Sequence, residues 1–515
     1  MKKLLALILC AVMIFASALP AFASEFNDLA FIAVSGMNTF PLYDSNNNKV
    51  YPFSTSKILD MAKDILPAVM NYLVTKDSDR LCDKVLPVLT DAFDIIACTE
   101  DGNSKYDLHT DIFTGYLGDR AAYFNDFDTD EEGIVRAAVE KFGENRTFFF
   151  NYDWRLDPLD HADELNKFIK EVKELTGCKR VSLASFSMGG NVTLAYLQKY
   201  GSGDVDCIEL CSTAFQGTDA VGELFKGDLV LDIEGLIDRL ASLTRRDAIQ
   251  EFLEYLNDGL AANGFDAKIS DFANEILTGQ EERIYTEFLI PVFGYMPGLW
   301  ALANYEDFEA DKAFMLKGGA GETLNTRIDF YHNSVQGKAE TLLKRALYDT
   351  NVYIISQYNL RGICCSDGTT YENDDLLIET KYSSGGATVA RLYETLGDNY
   401  TQQYLTELNY LSADGIIDAS TCMLPDKTWF IKDMAHIDFP YGGDGAQMVL
   451  YFASQEQQLT VWNAPYPQFQ EYDYQSKTLS PVSGEKKTTF LTGILAFFSK
   501  IRNAFYSLIN KIFSL

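Results

Sequence analysis

Residues 146–197, RTFFFNYDWRLDPLDHADELNKFIKEVKELTGCKRVSLASFSMGGNVTLAYL, constrain the fold more than any other part of the chain. Thr147 to Asn151 and Arg180 to Ala184 are short apolar runs rich in Phe, Val and Leu, the length and composition of strands. Between them, His161 to Leu175 sets Leu165, Phe168, Ile169, Val172 and Leu175 at the spacing of one helix face. Two strands joined by an amphipathic helix form a right-handed crossover with parallel strands, which predicts an α/β chain with a mostly parallel central sheet. The second strand runs into Ser185-Phe186-Ser187-Met188-Gly189-Gly190, a small-x-Ser-x-Gly turn opening a second helix. Such a turn places a serine at the apex of a strained backbone, and the residues two before and two after it must be small because strand and helix nearly touch. Ser185 stands where glycine is usual.

Tyr152-Asp153-Trp154-Arg155-Leu156 follows the first strand, and Ala214-Phe215-Gln216-Gly217-Thr218 follows the next apolar run after the serine turn. Together with that turn they resemble the lecithin:cholesterol acyltransferase-like branch of the α/β-hydrolases, which includes lysosomal phospholipases and bacterial lipases. The resemblance covers residues 130–225 and extends to 30–40 and 350–455. It implies an α/β-hydrolase fold with a helical cap insertion and an activity on carboxylic esters, lipid acyl esters first among them, by hydrolysis or by O-acyl transfer. An amidase or peptidase on the same fold, or a surface-binding protein that has lost activity, are the other classes open to such a chain.

The chain opens with Lys2 and Lys3, an apolar run from Leu4 to Ala18 and Ala21-Phe22-Ala23. Residues 1–23 therefore read as a secretory signal peptide, too short to span a membrane, and predict a secreted or extracytoplasmic protein. The formal charge is −31 and becomes −33 once Lys2 and Lys3 are removed. An acidic surface of that size repels phosphate backbones and excludes nucleic acid as a partner. Eight cysteines remain, and Cys82 with Cys98 is the first pair to examine for a disulfide, while Cys207 and Cys211 read as small core residues on a strand. No cysteine–histidine spacing matches a zinc site, and Asp126-x-Asp128-x-Asp130 lacks the glycine and the glutamate of a calcium loop, so neither metal nor cofactor is expected.

The expected organisation is one domain over 24–470. An insertion occupies about 41–130, with helices near Ser56 to Leu73 and Leu81 to Ile96. A helical cap over about 221–348 covers the site and recognises the acyl chain. Further core strands are expected at Leu29 to Val34, Val205 to Cys211, Asn351 to Gln357 and Thr428 to Lys432. Residues 471–487 are polar and turn-rich and read as a linker. The tail, 488–515, sets Leu491, Ile494, Leu495, Phe498, Ile501, Phe505, Leu508, Ile509 and Ile512 at helical spacing, with Lys500, Arg502 and Lys511 off that stripe. This pattern predicts an amphipathic helix suited to an anionic membrane surface, or one that docks on its own domain.

Acyl transfer needs a nucleophile, a base, a group that orients the base, and donors for the oxyanion. Ser187 is the candidate nucleophile. The chain order Ser, acid, His leaves His332 and His436 as bases, and His436 follows an apolar strand and precedes a helix, the expected position. For the acid, Asp414 in the Asp-Gly turn Ser412 to Ser420 is preferred on the family resemblance, with Asp367 and Asp418 as alternatives. The backbone N–H groups of Met188 and of Met37, in the Ser35-Gly36-Met37-Asn38 turn after the first strand, are the candidate oxyanion donors.

Overall fold

The fold is that of a computed structural model, which describes residues 29–115, 133–227, 230, 265–362, 371–404, 406–439 and 443–483. Residues 1–28, Asp126 to Asp130, Asp367 and the 488–515 tail lie outside these residues.

Eight strands build the central sheet: β1 (Leu29–Val34), β2 (Thr147–Phe150), β3 (Arg180–Phe186), β4 (Val205–Cys211), β5 (Asn351–Tyr358), β6 (Thr428–Lys432), β7 (Phe469–Asp473) and β8 (Thr478–Pro481). Their spatial order is β8-β7-β6-β5-β4-β3-β1-β2. Every neighbouring pair is parallel except β7 with β8, which is antiparallel at the edge. The mixed α/β class and the mostly parallel sheet expected of the sequence are thus present. Strands buried on both faces need apolar residues throughout, and β1 shows why. Ala30, Ile32 and Val34 point into one core, Phe31 and Ala33 into the other.

The first core lies against α4 (Pro158–Thr176) and α5 (Met188–Tyr200), through Leu165, Ile169, Val192 and Leu194. On the opposite face α3 (Ile134–Phe142) and a late helix, Gly443–Ala453, contribute Phe142, Ala446 and Val449. The 41–130 insertion holds the two expected helices, α1 (Thr55–Thr75) and α2 (Ser78–Phe93), and a small antiparallel sheet of Leu42–Asp44, Lys49–Tyr51 and Leu108–Thr110. The later insertion opens with α6 (Asp219–Lys226) and continues through α7 (Phe265–Ile284), α8 (Phe308–Met315), α9 (Glu322–Ser334) and α10 (Ala339–Ala346).

Two sequence expectations are corrected here. Residues 471–483 are not a linker: the domain continues through β7 and β8, and Asp473 Oδ1 closes the hairpin by accepting from Gln475 N at 3.0 Å and Ser476 N at 2.9 Å. An edge strand with one solvated face has the polar composition of a linker, and only Gln470 and Tyr472 turn inward. Cys82 and Cys98 form no disulfide. Both are buried free thiols, and burial pushes the Cys98 thiol up to about 12, the behaviour of a packed hydrophobe.

Candidate active site

Ser187 joins β3 to α5 with φ 54° and ψ −127°, a conformation that costs a non-glycine residue about 1–3 kcal/mol. The turn is closed by Ser187 N donating to Cys211 O and by Gly190 N donating to Ser187 O, both at 2.9 Å. Its two glycines are dictated by contact. A Cβ on Gly189 would lie 2.5 Å from the Ser35 carbonyl oxygen, and one on Gly190 would lie 1.9 Å from Thr213 Oγ1. A serine replaces the usual glycine at 185 without penalty because its buried hydroxyl pairs with Thr193 Oγ1 at 2.7 Å.

The Ser35-Gly36-Met37 turn lies directly against this elbow, with an added Cβ on Gly36 only 3.1 Å from Ser187 Cβ. Ser35 N donates to Phe150 O at 3.0 Å, Ser35 Oγ to Asn151 Oδ1 at 2.8 Å, and Tyr152 Oη donates to Ser35 O at 3.0 Å. Met37 lines the cavity at Ser187. Met188 occupies the first turn of α5, where helix geometry leaves the N–H groups without intrahelical acceptors, and its side chain is fully buried. Both candidate oxyanion donors therefore flank the serine.

His436 lies just beyond β6 and also lines this cavity. Its Nδ1 is 2.8 Å from Asp375 Oδ2, and its backbone N donates to Asp375 O at 2.8 Å. Asp375 is fully buried, and its second oxygen accepts from Leu377 N at 3.0 Å and Ile378 N at 2.8 Å. With the carboxylate on Nδ1–H, Nε2 is left as the acceptor, the tautomer a general base requires.

The acid preferred from sequence is corrected accordingly. Asp414 is not on His436. Its Oδ2 accepts from Lys432 Nζ at 3.0 Å and Tyr358 Oη at 3.1 Å, and its Oδ1 from Ser412 Oγ at 2.7 Å. It is the counter-ion of a half-buried lysine. Asp418 is likewise engaged elsewhere, accepting from Ser420 N, Gln403 N and Tyr400 Oη. Asp375 ends a polar run, Glu372-Asn373-Asp374-Asp375, and abuts Leu376-Leu377-Ile378, a pattern that does not by itself mark a buried carboxylate. His332, the other downstream histidine, is stacked between Tyr305 and Phe308 at ring-centroid distances of 4.5 and 3.9 Å, away from Ser187.

The cavity at Ser187 and His436 has a volume of about 330 Å³, near the lower end of small-molecule sites. Its walls are mostly apolar, with Phe40, Ile134, Val135, Phe149, Leu377 and Phe439 among them. Among the described residues none from 221–348 lines it. The expected cap spans about 221–348, of which 228–229 and 231–264 lie outside the described residues. The insertion's most apolar stretch is spent elsewhere: Met296 and Trp300 are buried in the core beside α5, and Asn191 Nδ2 on α5 donates to Ala301 O at 3.3 Å. Tyr152 to Arg155 support the fold. The fully buried Arg155 forms a bidentate pair with Asp153 and donates to Ile96 O at 2.9 Å, tying the first insertion to the core.

Among the described residues no cluster of His, Cys, Asp and Glu could hold a metal ion, and no helix is long and apolar enough to cross a membrane. No protein-family model matches the chain. No curated protein matches it either. A solved structure described as the crystal structure of the Tle4-Tli4 complex is similar at 13% identity and a TM-score of 0.19, over 38% of this chain and 48% of that one. The chain thus spans about half the length of that structure's chain.

Proposed function

We propose that this chain is a serine hydrolase of the α/β-hydrolase type that cleaves carboxylic esters with an apolar acyl group. The observation that carries the reading is an imidazole held on a fully buried carboxylate, at 2.8 Å, beside a serine in a strained strand-to-helix turn that faces the same apolar cavity. Ser187 Oγ attacks the ester carbonyl carbon while His436 Nε2 takes its proton, and the oxyanion is received by the N–H groups of Met37 and Met188. Asp375 stabilises the imidazolium. His436 returns the proton to the departing alcohol, leaving an acyl-enzyme. Water, deprotonated by the same imidazole, attacks that ester, the fatty acid leaves and the serine hydroxyl is restored. Transfer of the acyl group to an alcohol differs only in the acceptor.

Apolar walls in the cavity favour an acyl chain over a peptide. On α1, Ile58, Leu59, Leu66, Met70 and Val74 are each more than half exposed, an apolar surface suited to a lipid aggregate. Covalent labelling by an alkyl fluorophosphonate tests the reading. The mature chain is expected to label stoichiometrically and Ser187→Ala not at all, and a panel of acyl esters, phospholipids and peptides should show turnover of the esters. A wild-type protein that neither labels nor turns over any ester is not a serine hydrolase.

The tail supports a membrane-surface role for the same enzyme, since its cationic, amphipathic sequence contrasts with the acidic domain. Removing residues 486–515 should leave hydrolysis of a soluble short-chain ester unchanged and weaken co-sedimentation with anionic vesicles. Binding of the full chain should decline with salt without vanishing, because each basic residue contributes about 1 kcal/mol that is screened while apolar burial persists. Equal sedimentation of the two proteins would exclude the role.

A further inference from the structure

The loop that carries Asp375 is fastened to the first turn of α6 by two hydrogen bonds. Thr218, the N-cap of α6, donates its hydroxyl to Leu377 O at 2.6 Å. Asp219 N, a first-turn N–H that has no acceptor within its own helix, donates to Glu379 Oε2 at 3.0 Å. Both anchors lie in the five-residue segment 375–379. It supplies the carboxylate on His436, it supplies Leu377 to the wall of the Ser187 cavity, and Leu377 N and Ile378 N fix the second oxygen of Asp375. Movement of this segment away from α6 therefore carries the carboxylate away from the imidazole.

A buried glutamate is a costly anchor. Glu379 is 5% exposed and faces Asp219 of α6 and the fully buried Asp374, with which its backbone pairs. Asp219 is satisfied independently, by Asn304 Nδ2 at 2.8 Å and Tyr382 Oη at 3.2 Å, with Lys381 Nζ at 3.9 Å. Lys381 also lies 3.4 Å from Glu372. A leucine or alanine at 379 would be easier to bury but would leave the Asp219 N–H without an acceptor.

We propose that Glu379 is a positioning residue: its carboxyl, seated on the Asp219 N–H, keeps segment 375–379 closed against α6 so that Asp375 stays on His436. The inference rests on the hydrolase reading only for its effect on turnover. Burial, then the charges of Asp219 and Asp374, hold the Glu379 carboxyl well above the usual carboxylate range. A neutral carboxyl seats there without repulsion. An unfolded glutamate ionises near about 4.3. The contribution of the neutral seat is thus complete below that pH and is lost as pH rises through the raised folded value, when ionisation sets Glu379 against Asp219 and Asp374.

The test follows the His436 Nδ1 proton by NMR in the full chain with ¹⁵N-labelled histidine, the His436 signal being identified by its loss in His436→Ala. Glu379→Gln keeps a neutral acceptor and should leave solvent exchange of that proton within about twofold of wild type below the pH at which Glu379 ionises, and above it wild type should exchange the faster of the two. Glu379→Ala should accelerate exchange by about tenfold or more and lower kcat on an ester by about tenfold with KM within about twofold. Asp219→Pro removes the donor without touching Glu379, at a first helical position that proline fits and after a Thr218 whose extended backbone, φ −148° and ψ 141°, is what proline requires. It should behave as Glu379→Ala does, while Asp219→Asn, which keeps the N–H, should not. Unchanged exchange in Asp219→Pro, or a Glu379→Gln protein as impaired as Glu379→Ala, overturns the proposal. The exchange measurement needs no turnover, so an inactive wild type would defeat the hydrolase reading while the latch is still measured.

Discussion

Ser187→Ala is expected to lower ester turnover by about a million-fold while the protein stays folded, and His436→Ala by a similar factor. On the proposed mechanism the two groups act in one step, attack by one and proton removal by the other, so the double mutant should be little slower than either single one. Stability should change little at Ser187. Alanine inherits the strained backbone at φ 54°, and the turn is held by main-chain bonds from Ser187 N to Cys211 O and from Gly190 N to Ser187 O that do not involve the hydroxyl. Steady-state kinetics paired with thermal unfolding reads both effects. A folded Ser187→Ala protein with near-normal turnover would falsify the assignment of the nucleophile.

Much of the sheet was legible because fully buried strands announce themselves. The apolar runs at Leu29 to Val34, Val205 to Cys211 and Thr428 to Lys432 match the strands residue for residue. The serine turn was equally legible, since close approach at Gly189 and Gly190 leaves no choice of residue and so writes itself into the sequence. The position of His436, after an apolar strand and at the Ser187 cavity, agrees with its expected place in chain order. What failed to read was whatever depends on partners distant in sequence. β7 and β8 have the composition of a loop until β6 is known to lie beside β7. The helical insertion has a genuinely apolar stretch, but periodicity does not say what it faces. Trp300 packs on Phe225 and Phe308, Ala301 O accepts from Asn191 of α5, and the wall of the Ser187 cavity comes from α3, Phe149, Leu377 and the segments after β1 and β6.

The acid illustrates the same limit at single-residue scale. Asp-Gly turns are common turn formers for local reasons, and Asp414 occupies one: Gly415 has φ 70° and its N–H donates to Ser412 O at 3.0 Å. Asp375 has no such local signature. Its position is fixed by Leu377 N, Ile378 N and a histidine 61 residues away. A carboxylate buried on three hydrogen bonds is recognisable only once the fold has brought them together.

The decisive substitution is therefore Asp375→Asn against Asp414→Asn. At position 375 an amide cannot hold Nδ1–H while also accepting from Leu377 N and Ile378 N, because one of its two heads is now a donor. Either the imidazole adopts the wrong tautomer or a buried N–H loses its acceptor, and the imidazolium loses its counter-charge in both cases. Turnover should fall about ten-thousand-fold. Asp414→Asn should instead spare turnover and lower stability by about 1.5–3 kcal/mol, because it leaves the charge of Lys432 without its carboxylate partner at 3.0 Å. Denaturant unfolding of both variants separates the two losses. If Asp414→Asn is the substitution that stops catalysis while Asp375→Asn retains turnover, the carboxylate on His436 is an orienting contact with no part in the chemistry, and the base must find its counter-charge across the Lys432 pair.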